Sequence, residues 1–146
     1  MIKKRNIDEE SRLRDLGEWL EYDLTAGVTN AFALAVQNPY TRDLIIDEII
    51  ISVTTAGGTG SSVLDVDVAA SATSTGDTIF DGIDLNASAP VLYSSHNVND
   101  CGTNGTEKPH VWNAAGGASD YLTAKILVAN ASTLVAKMYV HVIEAQ

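Results

Sequence analysis

Five residues able to bind a metal or move a proton fall close together in this chain: His96, Asp100, Cys101, Glu107 and His110. Zinc takes His and Cys ligands, but its structural sites use closely spaced Cys–Cys or His–His pairs, and this segment has neither. Cys101 with one of the histidines would make a nucleophile and base, yet a lone cysteine beside Gly102 carries no signature of such a pair. The densest acidic group is Asp77, Asp81 and Asp84 with Asp65 and Asp67. Calcium takes roughly six to eight oxygens, many from such side chains. The spacing, however, matches no calcium loop or repeat, and solvated strand faces and Asp-led turns explain the same residues. No carboxylate pair singles out an acid and a nucleophile for glycoside hydrolysis. Trp19, Trp112, Tyr22, Tyr40, Tyr93, Tyr121 and Tyr139 read as core or interface aromatics before they read as a sugar platform. Gly57-Gly58-Thr59-Gly60 lacks the Lys-Ser/Thr and the following helix of a phosphate loop. The residues therefore describe a protein that is not an enzyme, with no catalytic residues, no cofactor and no metal.

The charge is divided unevenly. The formal net charge is −10 over 146 residues, but five of the nine basic residues lie within the first fourteen positions. Lys3, Lys4, Arg5, Arg12 and Arg14 stand there against Asp8, Glu9 and Glu10, a balance of +2, so the remaining residues carry −12. A basic arm on an acidic body points to a part that docks onto something larger. An acidic body argues against nucleic acid as partner, because neutralising phosphates needs a basic surface. Cys101 is the single cysteine, which excludes an intrachain disulfide and fits synthesis in a reducing cytoplasm. After Lys3-Lys4-Arg5 the chain continues Asn6-Ile7-Asp8-Glu9-Glu10 where a signal peptide needs an apolar stretch, and no apolar run is long enough to span a bilayer, so no membrane is expected. The sequons at Asn86, Asn104 and Asn130 read as turn residues.

The elements that must position these residues are strands. A short amphipathic helix is expected from residue 7 to about Leu16, capped by Asn6 and weakened at Gly17. The pattern then changes from helical period to alternation: Leu20, Tyr22 and Leu24 share one face, Glu21 and Asp23 the other. A second strand follows from residue 31 to 37, and Asn38-Pro39 signals a turn. Residues 43–55 are the strongest strand, rich in isoleucine. Ile45, Ile46, Ile49, Ile50 and Ile51 place apolar side chains on both of its faces, which predicts cover from a second chain segment or subunit. Leu64, Val66 and Val68 alternate with Asp65 and Asp67. Residues 86–120 are the least regular, with short strands at 91–93 and 110–112. Two long strands, 121–128 and 134–144, close the chain, and Asn130 to Ser132 between them suits a hairpin turn. The sum is about eight strands, an all-β antiparallel sandwich of jelly-roll type with a short N-terminal helical or extended arm. Residues 1–16 form the arm and residues 17–146 the domain.

Three stretches carry a family resemblance: residues 17–70, which open with Gly-Glu-Trp-Leu-Glu-Tyr and close on the alternating Val63–Ala70 strand; residues 78–86, with their Asp81-Gly82-Ile83-Asp84-Leu85 turn; and residues 116–144. Together they resemble head decoration or cement proteins of tailed bacteriophages and related capsid-bound β-sandwich proteins. The resemblance covers about residues 17–146 and leaves the basic arm outside. It implies an early strand pair, a virion protein made in the host cytoplasm and carried on the capsid exterior, a major capsid protein as partner, and self-association as a homo-oligomer, a trimer first. The alternative is a virion carbohydrate- or receptor-binding module. The residues expected at a capsid or subunit interface are Ile2, Lys3, Lys4, Arg5, Ile7, Arg12, Leu13, Arg14, Leu16 and Trp19. Ile2, Ile7, Leu13 and Leu16 would bury themselves in a partner rather than on the arm's own sheet, with the basic residues steering and fixing register.

Overall fold

The computed structural model describes residues 16–58 and 60–146, so the expected helix and most of the basic arm lie outside the described residues. Among the described residues, nine strands form two antiparallel sheets. The first sheet contains β1 (Glu18–Leu24), β3 (Leu44–Thr55), β6 (Val91–Ser94), β7 (His110–Trp112) and β9 (Val135–Glu144). Its order is β1-β9-β3, and β6 and β7 share the far edge of β3. β7 pairs with Leu44 to Ile46 and β6 with Ile50 to Val53. The second sheet holds β2 (Phe32–Gln37), β4 (Val63–Ala69), β5 (Phe80–Asp84) and β8 (Tyr121–Leu127), in the order β2-β8-β4-β5. With β6 and β7 counted as one position, the two strand orders are those of a jelly roll, and each connection crosses between the sheets except β4 to β5, which pair within the second. The all-β sandwich read from the alternation is therefore the fold.

Two expectations about connectivity are corrected. The last two strands do not form a hairpin: β8 pairs with β2 and β4, and β9 with β1 and β3. Val128 takes a positive φ of 70°, and Ala131 bridges to Gly27, so the link crosses from one sheet to the other. The early strand pair is likewise split, β1 into the first sheet and β2 into the second. Alternation within a strand says which side chains share a face but not which neighbour the strand chooses. A short helix, α1 (Val98–Cys101), also forms where only irregular chain was expected; the Asn97 side chain accepts from the Asn99 N–H at its start.

The core lies between the sheets. Leu64, Val66, Leu122 and Ile126 from the second meet Ile49, Ile51, Met138 and Val140 from the first, all fully buried. Each large side chain removed from water contributes roughly 1.5–3 kcal/mol before ordering costs. The isoleucine strand reaches this core by an unexpected route. Between Ile46, opposite Val142, and Glu48, opposite His141, β3 carries one extra residue. This bulge shifts the side-chain phase by one position. Leu44 and Ile46 before it and Ile49, Ile51 and Val53 after it therefore all point inward. Of the five isoleucines expected on both faces, Ile46, Ile49 and Ile51 are buried, and only Ile45 and Ile50 remain on the outer face.

The corner between the sheets is tied by polar groups. The buried Asn38 amide donates to the carbonyls of Arg42, Trp112 and Asn113, and its oxygen accepts the Tyr40 N–H. The buried Asp120 carboxylate accepts from the Gly116 N–H and the Gln37 amide, and these bonds hold it below the usual carboxylate range. Trp112, fully buried, donates its indole N–H to the Asp120 carbonyl at 2.9 Å.

Candidate functional site

The register places one set of side chains on the outer face of the first sheet. Trp19 lies opposite His141, Glu21 opposite Tyr139 and Asp23 opposite Lys137 on the β1–β9 pair. Ile45 sits opposite both Ile143 and Val111, and Ile50 opposite Tyr139 and Ser94. An apolar band thus runs from Val111 through Ile45 and Ile143 to Trp19, with Ile50 and Tyr139 beside it. Trp19 is 49 % and Val111 51 % exposed. Among the described residues this band is the clearest interaction surface.

The β3 bulge builds a polar group into that face. Asp47, the extra residue, sets its carboxylate 3.2 Å from His141 Nδ1, and the His141 ring lies 5.0 Å from the Trp19 ring at a tilt of 38°. His96 Nε2 donates to the Asp47 carbonyl at 2.8 Å. Ser94 Oγ donates to Glu48 at 2.9 Å, and Lys137 binds Glu21 and Asp23. Its hydrogen bonds to Asp23 and then Glu21 push the Lys137 ammonium above the usual lysine range. Gly17 enters the sheet at the same corner with φ +71°, and an added Cβ would meet His141 and Ile143 within 2.5–2.9 Å. The consecutive Asp47-Glu48 inside an isoleucine run breaks strand alternation, and that break is the signal by which sequence could have found the bulge.

The outer face of the second sheet is acidic. Asp65 on β4 lies beside Asp81 on β5, and with Asp77 from the preceding loop their carboxylate oxygens come within 4.8 Å of one another. The Gly82 N–H donates to Asp65 at 2.9 Å. The Asn104 N–H donates to Asp81 at 3.0 Å and the Asn104 amide to Asp77 at 2.9 Å. Burial, with Asp81 and Asp77 adding to it, pushes the Asp65 carboxyl above the usual range. Three carboxylates supply only part of the roughly six to eight oxygens calcium takes. Asp67 is spoken for separately: it accepts from the Thr78 hydroxyl at 2.5 Å and the Val68 N–H at 2.8 Å, and a side chain on Gly76 would collide with it. Asp84 caps the Asn86 N–H at 2.8 Å, an Asx turn of the expected kind.

The other sequence candidates are scattered. Cys101 is buried at the end of α1 with its thiol 3.4 Å from the Ser95 carbonyl, and burial pushes its pKa up, away from a reactive thiolate. His110 points inward beside Ile46, and burial lowers its pKa. Asp100 accepts the Ser94 N–H, while His96 is engaged at the bulge. No three of His96, Asp100, Cys101, Glu107 and His110 gather into a ligand set, and among the described residues Asp65, Asp77 and Asp81 form the one group close enough to be one. The aromatics divide too. Tyr22, Tyr40 and Tyr93 pack against the core, and Tyr121 lies on the second sheet, leaving Trp19 and Tyr139 together on the outer face of the first. Of the expected interface residues, Trp19 is on that face and Leu16, exposed, precedes it. Ile2, Lys3, Lys4, Arg5, Ile7, Arg12, Leu13 and Arg14 lie outside the described residues.

No known protein family, characterised protein or solved structure matches this chain.

Proposed function

We propose that this chain is a non-enzymatic structural protein of a phage particle, a decoration or cement module that binds the outer surface of the head and stabilises it. Its partner on this reading is the major capsid protein, and it acts as a homo-oligomer, a trimer first. The observation that carries the reading is the half-exposed Trp19 in an apolar band on one outer face of a jelly roll. Burying such an aromatic is how a partner gains most of its affinity from few residues. The resemblance of residues 17–146 to phage decoration proteins supplies the partner's identity. In the head-bound state the arm adds Ile2, Ile7, Leu13 and Leu16 as further anchors.

The test is sedimentation with heads stripped of accessory proteins. Full-length protein is expected to co-sediment at a fixed ratio to capsid subunits, with light scattering giving more than one copy per particle in solution. A monomer that stays in the supernatant sinks the proposal. The second reading, a carbohydrate- or receptor-binding virion module, draws on the same Trp19 and its neighbour Tyr139, since exposed aromatics also stack on sugar rings. Binding to an immobilised glycan that Trp19→Ala abolishes, without binding to heads, would select it.

A further inference from the structure

We infer that copies of this chain meet one another through one end of the sandwich, the end closed by four loops without charge. This contact would build the homo-oligomer proposed above and rests on that reading; attachment to a head is left to the outer face of the first sheet.

The end is formed by residues 25–31 between β1 and β2, 56–58 and 60–62 between β3 and β4, 85–90 between β5 and β6, and 128–134 between β8 and β9. None of these loops carries a charged residue, in a chain of net charge −10. The loops 38–43, 70–79 and 113–120 at the opposite end carry Arg42, Asp43, Asp77 and Asp120. Charges resume on the strands behind the uncharged loops, at Asp23 and Asp84. Hydrogen bonds tie the four loops into one surface. Gly27 bridges to Ala131, and the Thr29 N–H donates to Asn130 Oδ1 at 2.8 Å. The Thr133 hydroxyl donates to the Ala56 carbonyl and the Gly57 N–H to the Leu85 carbonyl, both at 2.8 Å. The Asn86 amide donates to the Ser62 hydroxyl at 2.8 Å. The partner follows from charge. Around a closed symmetry axis the contacting residues meet the same or neighbouring residues of the next copy, so a charge there faces its own sign. Two acidic bodies repel one another over most of their surface. At this end they meet without that cost.

Val128 is the second observation. It takes φ 70°, and the Ala129 N–H donates across it to the Leu127 carbonyl at 2.8 Å, which makes Val128 the centre of a strained γ-turn. A β-branched residue is the least suited to that backbone, and glycine takes it without cost. The turn therefore gains nothing from the valine, whose side chain is 70 % exposed. Val28, 61 % exposed, stands in the loop that Thr29 and Gly27 fasten to the same connection. Strain held at an exposed apolar side chain marks a residue whose use lies outside its own fold. Two such valines on a preformed, uncharged surface give a second copy area to bury.

Light scattering over a dilution series tests this on the full chain and on Val28→Glu, Val128→Glu, Val128→Gly and Val98→Glu. Circular dichroism confirms that each is folded. Val128→Gly accepts the φ of the turn without strain, so it keeps the fold while removing the side chain. Val98, on α1 outside these loops, is as exposed as Val28 and serves as the control. The full chain and Val98→Glu are expected to share one multimeric mass. Val28→Glu and Val128→Glu are expected to run as monomers, because each puts a carboxylate where copies meet. Val128→Gly should dissociate at a concentration about tenfold higher than the full chain. A multimer whose mass and dissociation are unchanged in Val28→Glu and Val128→Gly overturns the inference. So does a full chain that is monomeric at every concentration, and so does a multimer that Val98→Glu disrupts equally. Binding to stripped heads is read separately by sedimentation. A full chain that multimerises through this end but leaves heads in a separate fraction overturns the head reading and leaves the contact between copies standing.

Discussion

On the outer face of the first sheet, Trp19, Ile45, Ile50, Tyr139 and Ile143 lie among charges that are largely engaged with one another; on the outer face of the second, Asp65, Asp77 and Asp81 crowd together, with Lys125 opposite Asp65. Both faces belong to strands that alternate in the same way, and both back onto the same core. The difference lies in what alternates with the core residues. Apolar side chains on an outward face add only about 0.2–1 kcal/mol per cross-strand pair to their own sheet, whereas they give a partner a large area to bury. Clustered carboxylates repel one another and any second acidic surface. The acidic face thus discourages association on its side, whereas the apolar face offers area that the proposed partner would bury.

The comparison is broken most severely at the β3 bulge. Ile49 and Ile50 are adjacent, but the phase shift buries the first and leaves the second on the outer face. Ile49→Ala is expected to cost about 2–5 kcal/mol in urea unfolding, the range for emptying a core site. Ile50→Ala should cost less than about 1 kcal/mol. Equal losses would show that the bulge does not set the phase.

The next effect is on attachment. Trp19→Ala is expected to weaken binding to stripped heads about 30-fold or more, as loss of an aromatic anchor worth about 2 kcal/mol does. Asp81→Asn, on the other face, should leave binding unchanged. If the two behave alike in co-sedimentation, the faces are not functionally distinct.

A smaller effect comes from the acidic face and can be read as pH dependence. The Asp65 carboxyl is raised in the folded protein above its usual value of 3.8, so the folded state holds its proton more tightly than the unfolded state does. That contribution to stability is fully present below pH 3.8 and is lost as pH rises through the folded value. Asp65→Asn should remove this part of the profile, making the variant gain on the wild type as pH rises above 3.8 in thermal melts. Raising the salt should narrow the gap, because screening weakens the repulsion. A gap that is independent of both pH and salt would assign Asp65 a packing role instead.

The smallest effect is expected at Lys137. Its hydrogen bonds to Asp23 and Glu21 hold it protonated, but all three side chains are well exposed. Lys137→Gln should lower the melting temperature slightly at low salt and not at all at high salt, as surface ion pairs do. A loss that persists at high salt would show that this pair, like the apolar band, is part of a packed surface.

Much of this was legible in the residues. The alternation of Leu20, Tyr22 and Leu24 with Glu21 and Asp23, and of Leu64 and Val66 with Asp65 and Asp67, marks strands with one buried face, because the side-chain period of a strand is two whatever surrounds it. The Pro and Gly clusters mark the turns, and the number and spacing of strands mark an all-β sandwich. The outward position of Trp19 follows from the same alternation, which puts it on the face of Glu21 and Asp23. The rest was decided only when the sheets formed. That Asp65 and Asp81 become neighbours depends on β4 pairing with β5, and that Trp19 rests on His141 depends on β1 pairing with β9 rather than with β2. Strand pairing is settled by which combination of faces closes a common core, a property of the whole chain that no local pattern contains. The bulge at Asp47 belongs to the same class. Its two polar residues interrupt the isoleucine run in plain view, but only pairing with β9 turns that interruption into a phase shift that sends Ile49 inward and leaves Ile50 on the outer face.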